Sequence, residues 1–366
     1  MNLPAIPALD PTPLPAPVWL FQALLLVTFF IHILFLNVTL GGAVIGAVHG
    51  LVAKGQDAPG RRLGRLLVSL LPASVSFTVT TGVAPLLFIQ LLYGQVFYAA
   101  TVLVGWIWLA IVPLIVVGYY SVYLYKFEAG APGGRTAWLG VAAGCFVVVA
   151  AIQTLVNVLQ LTPPRWEAVA AAVGAVAQDP TVLPRYLHFV LGSLAVAGIF
   201  LAAVAVERAS RTPDPFFGWL ARRGVLWTLV ATALQVADGF WLLFSMPREL
   251  LIALVGGQPW PTVHLALGMG LGFLALILLS GLREPERQRG VLRLTAGVMG
   301  ITVFAMVGLR DVVRAMYLSP LVRLRELPRS TQADVTILFL VVFVLGLATV
   351  AWMVRSVLRE RRAHQS

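Results

Sequence analysis

Three histidines, His32, His188 and His264, stand inside long apolar runs. An imidazole is costly to place in hydrocarbon, so each is a functional candidate by default. His188 lies one turn inside the run opened by Pro184-Arg-Tyr-Leu-His-Phe-Val-Leu-Gly-Ser-Leu-Ala-Val-Ala-Gly198, which carries no further charge until Glu207. The small residues that follow it, Gly192, Ser193, Ala195, Ala197 and Gly198, permit close approach of a neighbouring helix or a flat cofactor. Two readings are open: a histidine hydrogen-bonded within a helix interface, or an axial haem ligand.

Depth helps to choose between them. At about 1.5 Å of helical rise per residue, His32 lies ~33 Å from Lys54, His188 ~28 Å from Glu207, and His264 ~28 Å from Arg283 along their own helices. All three therefore end in one layer toward one membrane face. Gln153 and Asn157 reach the same layer, with Gln160 just beyond; Asp238, Arg310 and Asp311 lie in the same half. The other half is nearly bare apart from His49, which is close enough to Lys54 to be wetted. This is one polar site near one face, not a wire across the membrane. Neutral imidazoles from three spans, with no cysteine or carboxylate cage, suit haem b better than zinc. A proton relay using the same residues stays open. A transporter would show midplane polar groups and interrupted helices in paired halves, which are not evident.

Positioning these groups takes a bundle of membrane helices. The chain of 366 residues is 59% hydrophobic and 11% charged, with a mean hydropathy of +0.90. That composition predicts an all-α, polytopic transmembrane bundle rather than a soluble domain. The net charge of +11 is no nucleic-acid signal, because the arginines sit in short loops between apolar runs. The single Cys145 excludes an internal disulfide, a C-x-x-C-H haem attachment, and an iron–sulfur cluster held by this chain alone. Nine spans are predicted, approximately over 18–52, 66–94, 97–125, 136–160, 184–206, 224–246, 261–282, 291–316 and 335–354. Residues 1–17 read as an extended N-terminal arm, 18–357 as the haem-binding bundle, and 358–366 as a basic cytoplasmic tail. Proline in spans two and three (Pro72, Pro85, Pro113) predicts kinks, and residues 165–178 predict a short interfacial helix.

Basic clusters follow spans one, three, five, seven and nine (Lys54 to Arg65; Lys126 and Arg135; Arg208 to Arg223; Arg283 to Arg293; Arg355 to Arg362). They share one side if the N-terminus is outside and the C-terminus cytoplasmic. Arg310, Arg314, Arg323, Arg325 and Arg329 break the rule, which suggests pairing with haem propionates or docking of an acidic partner.

The motifs resemble subunit I of the cytochrome bd quinol oxidases over most of the chain. HILFLNVTLGG in span one is similar to that family's H-x-L-F-x-x-x-T-L-G pattern, matching His32 to its high-spin haem ligand. FTVTTGVAPLLFIQLLYG (77–94) resembles the second helix. An asparagine on span four, Asp179-Pro180 and then LPRYLHFVLGSLAVAG match the entry to the fifth, with His188 on the low-spin axial ligand. LQVADG (234–239) is similar to L-Q-L-G-D-S and sets Asp238 on the family's aspartate. The resemblance also implies nine helices, an outside N-terminus and a bacterial cytoplasmic (inner) membrane.

The departures from that pattern bear on function. VLVGWIWLAIVPL (102–114) lacks the third-helix glutamates used for haem ligation and proton delivery. Val263-His264-Leu265-Ala266 stands where the family has Arg-x-Met, so His264 would pair with His188 in bis-histidine ligation. MVGLRDVVR (306–314) keeps Arg310 but no haem-binding glutamate, and the external quinol loop is cut to 247–259. Two strong axial ligands favour a closed, low-spin electron carrier. The expectation is a membrane b-type cytochrome with one or two haems b, linking the quinone pool to a c-type cytochrome or other redox subunit at the outer face. His188 and His264 would ligate one haem and His32 a second, partnered by Met246, Met306 or water. Arg310 and Arg314 would pair with propionates, and Asp238, Gln153 and Asn157 would line a quinol pocket in which Asp238 takes a proton. The alternatives are a divergent quinol oxidase still reducing dioxygen, and a haem-free quinone-binding anchor.

Overall fold

A computed structural model describes residues 13–55, 58–128 and 136–363, with side chains to residue 356. Residues 1–12 of the predicted arm, Arg135, and the side chains of the predicted basic tail lie outside the described residues. The helices are α1 (Val18–Val52), α2 (Pro59–Leu103), α3 (Gly105–Leu109), α4 (Ile111–Glu128), α5 (Ala137–Leu161), α6 (Trp166–Ala171), α7 (Val182–Ala209), α8 (Pro215–Phe244), α9 (Arg248–Ile252), α10 (Pro259–Ser280), α11 (Arg289–Leu318) and α12 (Ala333–Ala363). Among the described residues, nine helical segments are long and apolar enough to cross a membrane, α3 and α4 counting together. The chain is a multi-pass, all-α membrane protein.

The end of the bundle where α1 begins is called upper here, and the opposite end lower. Against the predicted spans, the main difference lies in α2. It runs 45 residues, through Pro72 and Pro85, and bends at Tyr93 (φ −130°, ψ 25°). The predicted end of span two at residue 94 is therefore a kink, and the chain turns back only between α2 and α4. No charged residue lies between Arg65 and Lys126 to mark the turn. The predicted interfacial helix is present as α6 flanked by 3-10 turns, Pro163–Arg165 and Val173–Gln178. α8 starts earlier than predicted because Asp214 caps it, accepting from Phe216 N at 2.9 Å, with Pro215 in its first turn.

Small residues set the tightest crossings. α7 and α8 pack so closely that a Cβ on Gly224 would stand 2.6 Å from the Gly198 carbonyl oxygen. Neither position accepts a side chain without parting the helices, as expected where backbones rather than large side chains meet in a membrane. A lower apolar core joins α1, α2, α5, α7 and α8 (Leu40, Leu67, Leu139, Leu201, Leu220). An upper core joins the start of α1 to α2, α4, α5, α6 and α11 (Phe21, Phe88, Leu159, Trp166, Leu318). The described part of the arm is fixed to the α11–α12 connection: Leu14 N donates to Pro328 O at 2.8 Å and Ser330 N to Leu14 O at 2.9 Å. α12 buries none of its apolar window and touches α2 through Phe339 and Phe88, ring centroids 6.1 Å apart.

Candidate functional site

Each of the three histidines of the sequence layer is held in the same way. On α1, His32 Nδ1 donates to the Thr78 carbonyl of α2 at 2.9 Å. On α7, His188 Nδ1 donates to Asp238 Oδ2 of α8 at 3.2 Å. On α10, His264 Nδ1 donates to the Trp260 carbonyl one turn back at 2.9 Å, with the Trp260 ring at 4.4 Å. A carbonyl oxygen can only accept, so the partners of His32 and His264 assign the proton to Nδ1, and an ionised Asp238 does the same for His188. A neutral ring then carries its lone pair on Nε2, and among the described residues no group bonds to Nε2 of any of the three.

His49 shows the reverse. Trp227 Nε1, which can only donate, gives its proton to His49 Nε2 at 3.0 Å. The fifth histidine, His364, lies outside the described residues. Tautomer thus separates the layer histidines from the one near the other face.

Each ring faces a glycine of a neighbouring helix: Gly82 for His32, Gly239 for His188 and Gly308 for His264. Helices α7, α8, α10 and α11 form a quartet with two separate apolar clusters. The lower is Ala195, Ala231, Ala275, Val298 and Met299; the upper is Leu243, Leu254 and Val313. His188, Asp238, His264, Met306 and Gly308 fall at the level between them. Among the described residues no three histidine, cysteine, aspartate or glutamate side chains gather as ligands of one metal ion.

Asp238 is buried, its side chain 6% exposed. Its Oδ1 has no hydrogen-bond partner. Gln235, one turn earlier on α8, donates to the His188 carbonyl at 3.3 Å. The remaining predicted pocket residues are elsewhere: Gln153 is exposed and Asn157 half-buried on α5. α5 packs on α1, α2, α4 and α7, while α8 packs chiefly on α7 and on α10. Among the described residues no hydrogen bond joins the amide pair to Asp238.

The arginines do converge. Arg310 lies over the Phe29 ring at 4.4 Å and within electrostatic reach of His32. No carboxylate of the described residues stands within ion-pair distance of it. Arg314, its side chain 5% exposed, pairs with Asp311 at 2.6 Å and lies 5.5 Å from the Tyr93 ring, yet its Nε has no partner. Sequence reasoning missed a third cation, Arg185, which donates from Nε to Thr181 Oγ1 at 3.2 Å and leaves Nη2 buried and unpartnered. The signal was its place three residues before His188, which puts both on one side of α7. Arg323 and Arg329 of the same rule-breaking set are exposed and engaged locally, with Glu326 at 3.0 Å and the Arg325 carbonyl at 2.9 Å.

Met306 faces α10, where a Cβ on Gly268 would meet its Sδ at 3.2 Å. It lies on the His264 side of the bundle, away from α1. At the upper rim, a cleft of about 490 Å³ opens between α5, α7, α8 and α11, lined among others by Arg165, Asp179, Thr181, Met246 and Tyr317. Asp179 Oδ2 pairs there with Arg165 at 3.2 Å.

The site can thus offer three imidazole lone pairs, a buried carboxylate behind one of them, and cations lacking anionic partners. The chain matches no protein-family model and no curated protein sequence.

Proposed function

We propose that this protein is a membrane b-type cytochrome of a bacterial cytoplasmic membrane, divergent from the cytochrome bd subunits its motifs resemble. On this reading it passes electrons between the quinol pool and a redox partner at the upper face, a c-type cytochrome or another redox subunit. One observation carries the reading: His32, His188 and His264 all spend Nδ1 on an oxygen acceptor and keep Nε2 free, while His49 does not. That is the arrangement a metal-ligating imidazole needs, since the second bond fixes both tautomer and ring direction.

The residues present fit haem b. His188 and His264 would hold one haem and His32 a second, with Arg310 and Arg314 facing carboxylate side groups. Bound there, haem would supply a one-electron couple. The chain's own contribution is positional. Asp238, hydrogen-bonded to Nδ1, fixes the direction of the His188 ring, and such a second bond raises the strength of an imidazole as a donor. Arg310, with no carboxylate of the described residues within ion-pair distance, offers a cation to an anionic group. Quinol would enter at the upper-rim cleft, which Tyr317 lines with a hydroxyl and Arg165 with a cation. Its oxidation releases two protons and two electrons, and the cleft opens to the face that receives the protons.

The experiment is a pyridine haemochrome assay on the purified chain, followed by reduced-minus-oxidised spectra of His188→Ala and His264→Ala. Haem b in the parent, with the same low-spin band lost in each variant, supports the assignment. A chain without haem b overturns it and leaves the haem-free anchor.

A further inference from the structure

His49 takes no part in the histidine layer, and its neighbours suit a different ligand. It stands three residues before the end of α1 at Val52, so its ring lies ~4.5 Å inside the lower rim. Because Trp227 donates to Nε2, the ring proton is on Nδ1, and no described group accepts it. On α8, Trp219, Arg223 and Trp227 recur at every fourth residue and so share one face. The two indoles meet the imidazole edge-on, with centroids 5.3 Å and 6.1 Å away. Arg223 lies within electrostatic reach of His49. Its neighbour Arg222 is taken by Glu286 at 3.6 Å, but no described carboxylate lies within ion-pair distance of Arg223. α2 begins against this point: a Cβ on Gly60 would stand 2.9 Å from the His49 carbonyl carbon. The positive end of that helix dipole therefore adds to the local field.

We infer that His49 Nδ1–H and Arg223 hold the phosphate of an anionic phospholipid between Trp219 and Trp227. The lipid origin of the phosphate follows from what surrounds the donors. Val48, Leu51, Val52 and Leu226 are exposed apolar side chains next to them, Leu51 and Val52 at 71% and 70%, and offer a path for acyl chains. Paired tryptophans are the usual anchors at head-group depth, and basic pockets between helices at that depth recognise acidic head groups.

The test is native mass spectrometry of the full chain in detergent, titrated with phosphatidylglycerol or phosphatidylcholine. Phosphatidylglycerol is retained at lower concentration than phosphatidylcholine. Arg223→Gln weakens that retention about fivefold, the effect of removing one cation from beside an acidic head group. Trp227→Phe weakens it too while keeping a ring in place, because it frees the tautomer of His49. Arg325→Gln at the other rim changes nothing. Equal retention of the two lipids, or unchanged retention by Arg223→Gln, overturns the proposal. Displacement of the lipid by millimolar inorganic phosphate reassigns the site to a free anion and also overturns it.

Discussion

A methyl group added beside His32 tests whether that ring is seated as the structure has it. In Gly82→Ala the new Cβ would lie 2.9 Å from His32 Cε1 and 3.0 Å from Nδ1. Ordinary contact begins near 3.4 Å, so the ring must retreat by about half an ångström. It is tied on that edge by the 2.9 Å bond to the Thr78 carbonyl, which stretches as the ring moves. Overpacking of this kind costs about 1–3 kcal/mol, and a weakened hydrogen bond about 1 kcal/mol more. Alanine returns up to about 1 kcal/mol through its higher helix propensity. The net is a loss of roughly 1–3 kcal/mol. Gly239→Ala is the control, because its Cβ would lie 3.5 Å from His188 Cε1, in ordinary contact; the propensity gain then stands alone. Thermal melting in detergent, followed by tryptophan fluorescence, should place Gly82→Ala below the parent and Gly239→Ala level with it or above. If Gly82→Ala melts as high as the parent, His32 does not occupy the position described, and its free Nε2 cannot be used as evidence.

Three further outcomes are expected. Asp238→Leu removes the acceptor behind His188 and should lower haem affinity by about 10–100-fold, measured by haem transfer to a competing apoprotein, whereas Asp238→Asn keeps an acceptor and loses less. Gly224→Ala should destabilise the purified protein more than Gly82→Ala does, since the added Cβ meets backbone atoms of α7 that cannot rotate away. Asp214 is held below the usual carboxylate range, first by its hydrogen bond from Arg62 and then by that from Phe216 N. Folding lowers this pKa, so the stabilisation is full above the ordinary carboxylate value of ~3.9 and fades as pH falls through the lowered one. Melting curves of the parent and Asp214→Asn should therefore differ at neutral pH and converge in acid.

Much of the fold was legible because the bilayer makes length and composition decisive. Span one, read as 18–52, is α1 from Val18 to Val52. Backbone groups in hydrocarbon must bond within their own helix, so an apolar run of that length has few alternatives. The clearest break in α2 is not at a proline. Kinks are expected from Pro72 and Pro85, and the residue of α2 that leaves helical φ/ψ is Tyr93. A membrane helix absorbs a proline where neighbouring groups bond the freed backbone. The run from residue 94 to 105 carries no charge to signal where the chain turns.

For the site, depth could be counted from the sequence and direction could not. A rise per residue places His32, His188, His264 and Gln153 in one layer, and Asp238 in the same half, whichever way each helix is turned. Which of them meet depends on rotation about each axis and on which helices are neighbours. An asymmetric polar stripe would fix that rotation, but α1, α7 and α8 are apolar nearly all round. Neighbours are set instead by small-residue crossings such as Gly198 with Gly224, which bring α8 against α7 and so Asp238 to His188, leaving Gln153 outside. The same rotation decides tautomers, because only the assembled bundle says whether a ring faces a carbonyl or an indole N–H. A histidine in a hydrophobic run is therefore ambiguous in sequence between ligand and structural contact, and the atom it has left unbonded is what separates His188 from His49.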